Sequence, residues 1–262
     1  MPKSNQVGNE ESATSNGVKS VALKFVDCIN AGDSIGLMAL QTEDFTFIDY
    51  DGDAHHGRDS WHSYFRDYPD YKIHVRHLIT SGNGVAIIGD TTGCHVGPDV
   101  EKKWTILWTA EARDESVAKW RIYSDVHEVR ENLRLEKAPK EYREKIAAVK
   151  STASDFIDCI NRGDSEGLMA LQTEDFTLMD YDGGVFRGRD GWYDYFSECP
   201  NYMIHVRHVI TSGNGVALFG RTTGSHVSRE AENRETILWT AEIRDRLVAE
   251  WRLYSDIHEI EK

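Results

Sequence analysis

Residues Thr42–Gly52 read TEDFTFIDYDG, and nearly the same stretch returns at Thr173–Gly183 as TEDFTLMDYDG. Alternate residues of a strand share one face, so the apolar residues of each copy point the same way as the acid that follows them, Asp49 or Asp180. Burial at the end of an apolar stripe can raise a carboxyl pKa toward catalytic use. The alternative is a strand end meeting a turn, because Asp-Gly is a common turn pair.

The two stretches belong to a repeat that covers most of the chain. Matching residues lie 131 positions apart without a gap, as for Asp27 and Asp158 or Trp108 and Trp239. A period of this length is too long for a solenoid and indicates two copies of one domain. The predicted organisation is a disordered tail at 1–17, domains at 18–131 and 149–262, and a linker helix at 132–148 that continues into the second domain.

Each copy places its helical patterns before its strand patterns. In the first copy the helices cover 18–30 and 34–40 and a third carries Trp61; strands are predicted at 71–80, 85–96, 103–113 and 117–129. This order predicts an α+β fold, in which three helices pack in a cone-shaped, curved and mostly antiparallel sheet. His77 is expected on the same strand face as Ile73 and Ile79.

The last two strands carry large residues on both faces, so both faces need cover. One face can pack on the helices of its own domain and the other on the sister copy. The sequence therefore predicts a pseudo-dimer within one chain, and it leaves further oligomerisation open.

Composition excludes several classes of partner. Forty-four acidic and thirty basic residues give a formal charge of −14, and the lack of a basic face argues against nucleic acid as a partner. The sequence contains neither a membrane-spanning apolar run nor a signal-peptide pattern, so no membrane partner and a cytoplasmic location are expected. The four cysteines lack metal-ligand spacing and are expected to be reduced.

The run KFVDCINAGDSIGLMALQTEDFTFIDYDG, with the later GRD and VAKWRIYSD, resembles the SnoaL-like and nuclear-transport-factor-like superfamily. Its relatives include ketosteroid isomerases, polyketide cyclases and scytalone dehydratases, and the resemblance covers both copies. It implies the cone fold and a ligand pocket. The superfamily also contains non-catalytic binding modules, so the fold alone does not define a reaction.

The resemblance assigns roles to particular positions. In ketosteroid isomerases an Asp ending the first strand is the base, which matches Asp49 and Asp180, and a Tyr of the first helix donates to the oxyanion. That position is Phe25 here and Phe156 in the second copy. The family's second donor acid would fall near Trp108 and has no counterpart. One oxyanion donor is worth about 3 kcal/mol, which argues against steroid isomerase chemistry itself.

Two other branches contribute candidates. The IDY and RHLI segments resemble scytalone dehydratases, in which a Tyr and a His act through water, although that branch's Tyr-Asp pair would be Ile29-Asn30. SnoaL-like cyclases use an Asp late in the sheet, which matches the YSD segments. The candidate catalytic residues are Asp49, His77, Asp180 and His208; the candidate substrate-binding residues are Tyr50, Trp108, Tyr123, Asp125, Tyr181, Trp239, Tyr254 and Asp256.

Each candidate also has a structural interpretation: His77 as a hydrogen-bonded core residue, Asp125 as the partner of Arg121, and the tryptophans as core. The histidine spacing does not support a metal site. The hypothesis is that each copy binds a small apolar carbonyl compound and performs isomerase, cyclase or dehydratase chemistry without a cofactor. The alternative is a non-catalytic ligand-binding or scaffolding module.

Overall fold

The computed structural model describes residues 15–58 and 60–260. The first domain contains helices and strands in the order predicted, with two short additional helices and one short additional strand. Its elements are α1 (Ser15–Ala31), α2 (Ser34–Ala39), β1 (Gln41–Ile48), β2 (Ala54–His56), α3 (Ser60–Asp67), β3 (Lys72–Ser81), β4 (Gly84–Thr92), α4 (Pro98–Glu101), β5 (Ile106–Arg113), β6 (Ser116–Ser124) and α5 (Val126–Asn132).

The second domain repeats this order. Its elements are α6 (Lys140–Arg162), α7 (Ser165–Ala170), β7 (Gln172–Met179), β8 (Val185–Arg187), α8 (Gly191–Glu198), β9 (Met203–Ser212), β10 (Gly215–Thr223), α9 (Arg229–Arg234), β11 (Ile237–Arg244), β12 (Leu247–Ser255) and α10 (Ile257–Ile260). The α+β prediction and the tandem duplication are therefore confirmed.

The sheet of the first domain is an antiparallel meander, β3-β4-β5-β6, with β1 parallel to β6 and β2 folded back on β1. Helix α1 lies against this sheet because its apolar residues recur at helical spacing and are buried. Phe25 is fully buried there, and its ring centroid is 4.8 Å from that of Trp120. Aromatic side chains thus fill the space between helix and sheet.

The opposite faces of the two sheets pack on each other, as the two-sided apolar pattern predicted. The interface contains matching residues from both domains: Ile79, Ala86, Leu107, Tyr123, Ile210, Ala217, Leu238 and Tyr254. Single bridges join the sheets at their edges, Ser124 with Thr211 and Ser255 with Thr80. The chain is therefore an intramolecular pseudo-dimer.

A β-bulge in β3 changes the direction of His77. Val75 pairs with Gly89 and His77 with Ile88, so Arg76 is an extra residue relative to β4. The bulge reverses the alternation, and the prediction of one face shared by residues 73 to 79 is wrong. Ile73 belongs to the domain core, whereas Ile79 lies in the interface.

The last strand also ends earlier than predicted. Strand β6 stops at Ser124, and Asp125 is the N-cap residue of α5 rather than a strand residue. The Ser124 hydroxyl accepts a hydrogen bond from the Val126 N–H at 3.0 Å, which stabilises the start of the helix. The carboxylate of Asp125 is therefore at the end of the sheet.

The segment between the domains is only partly helical. Residues 133–139 separate α5 from α6, and α6 begins after Pro139, whose fixed φ suits a helix start. From there α6 continues without a break to Arg162. Helix α1 already begins at Ser15, and the rest of the predicted disordered tail lies outside the described residues.

Candidate functional site

The carboxylate of Asp49 closes the turn between β1 and β2. Its Oδ1 accepts hydrogen bonds from the backbone N–H groups of Asp51 at 3.0 Å and Asp53 at 2.9 Å. Its Oδ2 is 3.1 Å from Nε2 of His55, and the Asp49 side chain is 25% exposed. Asp49 is thus a partly buried turn carboxylate held by two amides and an imidazole.

Asp180 occupies the matching turn with different neighbours. Its Oδ1 accepts a hydrogen bond from the Gly184 N–H at 2.6 Å. Burial, reinforced by the nearby charge of Asp182, raises the pKa of Asp180 despite hydrogen bonds from the turn. The residue at the position of His55 is Phe186, which has no group to donate to the carboxylate.

Each of these turns is positioned by the sister domain. Gly52 has φ +87°, and a Cβ there would lie 2.3 Å from Cα of Gly213 in the β9–β10 turn. The Ser212 hydroxyl donates to the Asp49 carbonyl oxygen at 2.6 Å. The second domain repeats this contact against the β3–β4 turn. The pairing of the two domains therefore determines the positions of both carboxylates.

A tyrosine–histidine cluster follows Asp49 in the first domain. The Tyr50 hydroxyl is 2.9 Å from Nε2 of His95, and the Tyr64 hydroxyl is 3.2 Å from Nδ1 of the same ring. Burial and then the Arg130 guanidinium lower the pKa of His95. Burial also raises the pKa of Tyr50 to about 12. The cluster therefore offers a neutral imidazole and protonated hydroxyls near neutral pH.

The second domain has the corresponding cluster beside Asp180. The Tyr181 hydroxyl is 3.0 Å from Nε2 of His226, and the two rings stack. Burial, followed by Tyr202, raises the pKa of Tyr195, the counterpart of Tyr64. Hydroxyls that stay protonated can donate hydrogen bonds to a carbonyl or an enolate oxygen.

His77 lies in another group of residues. Its Nε2 is 2.9 Å from Oδ2 of Asp256, which belongs to the second domain. The other carboxylate oxygen of Asp256 accepts a hydrogen bond from the Thr236 N–H at 2.7 Å. The structure therefore pairs His77 with Asp256 across the domain interface. His77 is not bonded to Asp49, the other predicted catalytic residue of its domain.

His208 makes the matching contact. Its Nε2 is 3.2 Å from Oδ2 of Asp125, whose Oδ1 accepts a hydrogen bond from the Thr105 N–H at 2.6 Å. Arg121 binds Ser212 and Glu242 instead, so the Arg121–Asp125 pairing considered from the sequence is wrong. The two histidine–aspartate pairs connect the domains symmetrically.

The remaining predicted residues lie in packed regions. Trp108 and Trp239 are at most 1% exposed and belong to the cores of their domains. Tyr123 and Tyr254 are buried between the domains, each beneath a guanidinium group, with 5.1 and 5.8 Å from guanidinium carbon to ring centroid. They face the interface rather than the interior of either cone.

Two cavities lie away from the tyrosine–histidine clusters. The first, about 120 Å³, lies between the domains; its lining includes Glu111, Lys119, Arg121, Tyr123, Glu242 and Glu250. The second, about 260 Å³, lies between α6 and the strands β9 and β10, beside Ser154 and Val206.

Across 15–58 and 60–260, no group of three or more His, Cys, Asp or Glu residues could hold a metal ion. None of the helices in this part of the chain combines the length and apolar character that a bilayer crossing requires.

The sequence did not identify His55, Tyr64 or His95 as partners of the site. His95 was visible only as a histidine near a strand end, and Tyr64 as part of an apolar helix face. Their contacts depend on how α3 and the loop after β4 meet the end of β1. No local sequence pattern indicates this packing.

The family is established by sequence. A SnoaL-like domain model matches residues 22–123 and 153–251. The chain therefore belongs to the SnoaL-like domain family and carries two such domains. No curated protein matches the chain in sequence.

Solved structures that resemble the chain match one domain at a time. One from Jannaschia sp. CCS1, provisionally called a SnoaL-like polyketide cyclase, is 17% identical with a TM-score of 0.39; the match covers 50% of this chain and 99% of that one. A structure from Kribbella flavida, provisionally called a ketosteroid isomerase, is 19% identical with a TM-score of 0.35; the match covers 48% of this chain and 93% of that one. An NTF2-like protein of unknown function from Cytophaga hutchinsonii is 16% identical with a TM-score of 0.36; the match covers 45% of this chain and 94% of that one.

Proposed function

We propose that each domain binds a small apolar molecule with a carbonyl group beside its tyrosine–histidine cluster. Asp49 or Asp180 would then exchange a proton with the carbon next to that carbonyl. The observation that carries the proposal is in the second domain, where a half-buried Asp180 with a raised pKa adjoins Tyr181 and its partner His226. The reaction would be an isomerisation, cyclisation or dehydration without a cofactor.

The proposed step needs only groups that the domain supplies. The Asp180 carboxylate takes the α-proton, and the C–H electron pair forms the double bond of an enolate. A tyrosine hydroxyl donates a hydrogen bond to the enolate oxygen, and the carboxyl returns a proton to carbon. A carboxyl pKa raised by burial favours this role, because it brings the base closer to the pH at which the enzyme works.

In this proposal His77 and His208 have a structural role. Each is held by a carboxylate from the other domain, and together these pairs connect the ends of the last strands to the sister sheet. Hydrogen bonds of this kind add order at the interface.

A non-catalytic ligand-binding module is the second candidate. Phe25 and Phe156 stand where an oxyanion-donating Tyr would be, and both are fully buried among aromatic side chains. This packing favours binding at the surface end of each cone over chemistry deep inside it.

Proton exchange in heavy water distinguishes the two candidates. Wild type is expected to exchange the α-protons of at least one member of a panel of small apolar ketones, followed by proton NMR. The Asp49→Asn/Asp180→Asn variant should be slower by roughly 10²–10⁴-fold, the usual contribution of a general acid or base.

The matched control is Asp44→Asn/Asp175→Asn. These carboxylates are in the same two strands but are 67% and 69% exposed and bound to surface arginines, so exchange should be unchanged. Equal rates in wild type and the Asp49/Asp180 variant, or no exchange of any ketone by wild type, would contradict the proposed chemistry.

A further inference from the structure

The two domains differ at the residue that faces the turn carboxylate. In the first domain His55 pairs in register with Phe47, stacks on its ring at 5.4 Å and reaches Asp49. In the second domain Phe186 takes this place, in the same register opposite Leu178. Position 55 therefore contacts the candidate site of the first domain directly.

This difference changes the bonding of the two carboxylates. Both oxygens of Asp49 are engaged, one by turn amides and the other by the His55 imidazole. Asp180 keeps the turn amide of Gly184, and the residue in the register position of His55 is Phe186, which cannot donate a hydrogen bond. The His55 imidazole thus occupies the oxygen of Asp49 that the turn amides leave open, and this oxygen would otherwise be the one to take a proton from a ligand.

We infer that the two domains have different roles: Asp180 is the carboxyl that transfers the proton, whereas His55 holds Asp49 as a fixed turn carboxylate. This inference rests on the proposed function and names the domain that carries it. Phe186 and its neighbour Val185 are each 51% exposed. They place an apolar surface beside the Asp180 turn where the first domain has Ala54 and an imidazole, so the ligand of the second domain should be the more apolar of the two.

The surroundings of Asp180 are consistent with this assignment. Burial, and after it the charge of Asp182 from the same turn, raises the pKa of Asp180. The β3–β4 turn packed against it presents Gly82 and the hydroxyl of Ser81, neither of them charged.

Exchanging the residues at this position tests the inference. Phe186→His should slow ketone α-proton exchange by on the order of tenfold, the equivalent of one added hydrogen bond to the carboxylate. In an Asp180→Asn background, His55→Phe should raise the residual exchange by a similar factor, because it frees Asp49.

His56→Arg in the same Asp180→Asn background is the matched control. His56 bonds to Thr46 rather than Asp49, and the second domain already has Arg187 there, so no gain is expected. The inferred difference between the two domains is contradicted if Phe186→His leaves the exchange rate unchanged. It is also contradicted if His55→Phe raises the exchange rate no more than His56→Arg does.

A second measurement needs no substrate. Because the folded-state pKa of Asp180 is raised, its contribution to stability is present below the unfolded-state pKa and is lost as pH rises through the folded-state value. Urea unfolding between about pH 4 and about pH 7 should therefore show wild type losing stability relative to Asp180→Asn, whose amide still accepts from Gly184. The same substitution in a Phe186→His background should show a smaller pH dependence.

The two measurements separate the two hypotheses. If wild type and Asp180→Asn change in parallel with pH, the assignment of Asp180 fails whatever the exchange rates. If the pH dependence is as expected but no variant or wild type exchanges a ketone, the carboxyl assignment stands and the proposed function fails.

Discussion

Replacing Arg121 with methionine is expected to cost about 2 kcal/mol of unfolding free energy, the usual cost of leaving a buried polar group without its hydrogen-bond donor. Arg121 is 4% exposed. Its guanidinium donates to the hydroxyl and the carbonyl oxygen of Ser212 and forms an ion pair with Glu242. Methionine fills a similar volume but leaves a buried carbonyl and a carboxylate without their donor.

The loss should be increased by Glu250. It lies directly opposite Glu242 in the β11–β12 register, and burial raises the pKa of Glu250. Without Arg121 the two glutamates would face each other with less compensation, and like charges in this position are destabilising.

Urea unfolding with a matched control measures the effect. Arg113→Met removes a guanidinium that binds Asp44 at the surface, with both side chains more than half exposed, and should cost less than about 1 kcal/mol. Adding Glu242→Gln to Arg121→Met should recover part of the loss. Equal costs for the two arginine variants would show that the interface pair does not hold the domains together.

Replacing Trp120 with alanine is expected to cost about 3–5 kcal/mol, the usual result of removing a large aromatic side chain from a packed core. Trp120 is fully buried between β6 and α1. Its ring is 4.8 Å from that of Phe25, and the same contact recurs in the second domain at 5.1 Å. A cavity here would open in the middle of the first domain.

Trp104→Glu is the control, because the matching position of the second domain carries a glutamate. The second domain has Glu235 at that position, hydrogen-bonded to Ser255, and Ser124 is the matching residue in the first domain. A carboxylate introduced at 104 can therefore bind the same hydroxyl, and since Trp104 only borders the core, the cost should be clearly smaller than that of Trp120→Ala. A loss for Trp104→Glu as large as that for Trp120→Ala would contradict this assignment of the core.

The repeat and the two-sided apolar strands predicted most of the fold. Trp108 and Leu107 alternate in β5, and the structure places Trp108 in the domain core and Leu107 in the interface. The prediction of the two faces was correct because the periodicity of a strand indicates which of its faces are buried. Helix α5 was missed, although Ser124 and Asp125 before Val126 are a recognisable helix start.

The site was harder to predict because its contacts depend on tertiary structure. The bulge at Arg76 has no marker in the sequence, yet it turns His77 from the cone to the interface. The partner of His77 is Asp256, 179 residues away. Sequence patterns identified both as polar residues on apolar strands, but only the packing of the two domains pairs them.

Where a carbonyl compound binds is the most direct test of the proposed function. The measurement is NMR of the full chain carrying carbon-13-labelled tyrosine and histidine, titrated with a small apolar ketone and assigned through single substitutions. We predict that the ring signals of Tyr181, Tyr195 and His226 shift with the ketone, and that they shift more than any others. Ring signals of these three residues that stay unchanged at saturating ketone would contradict the proposed site.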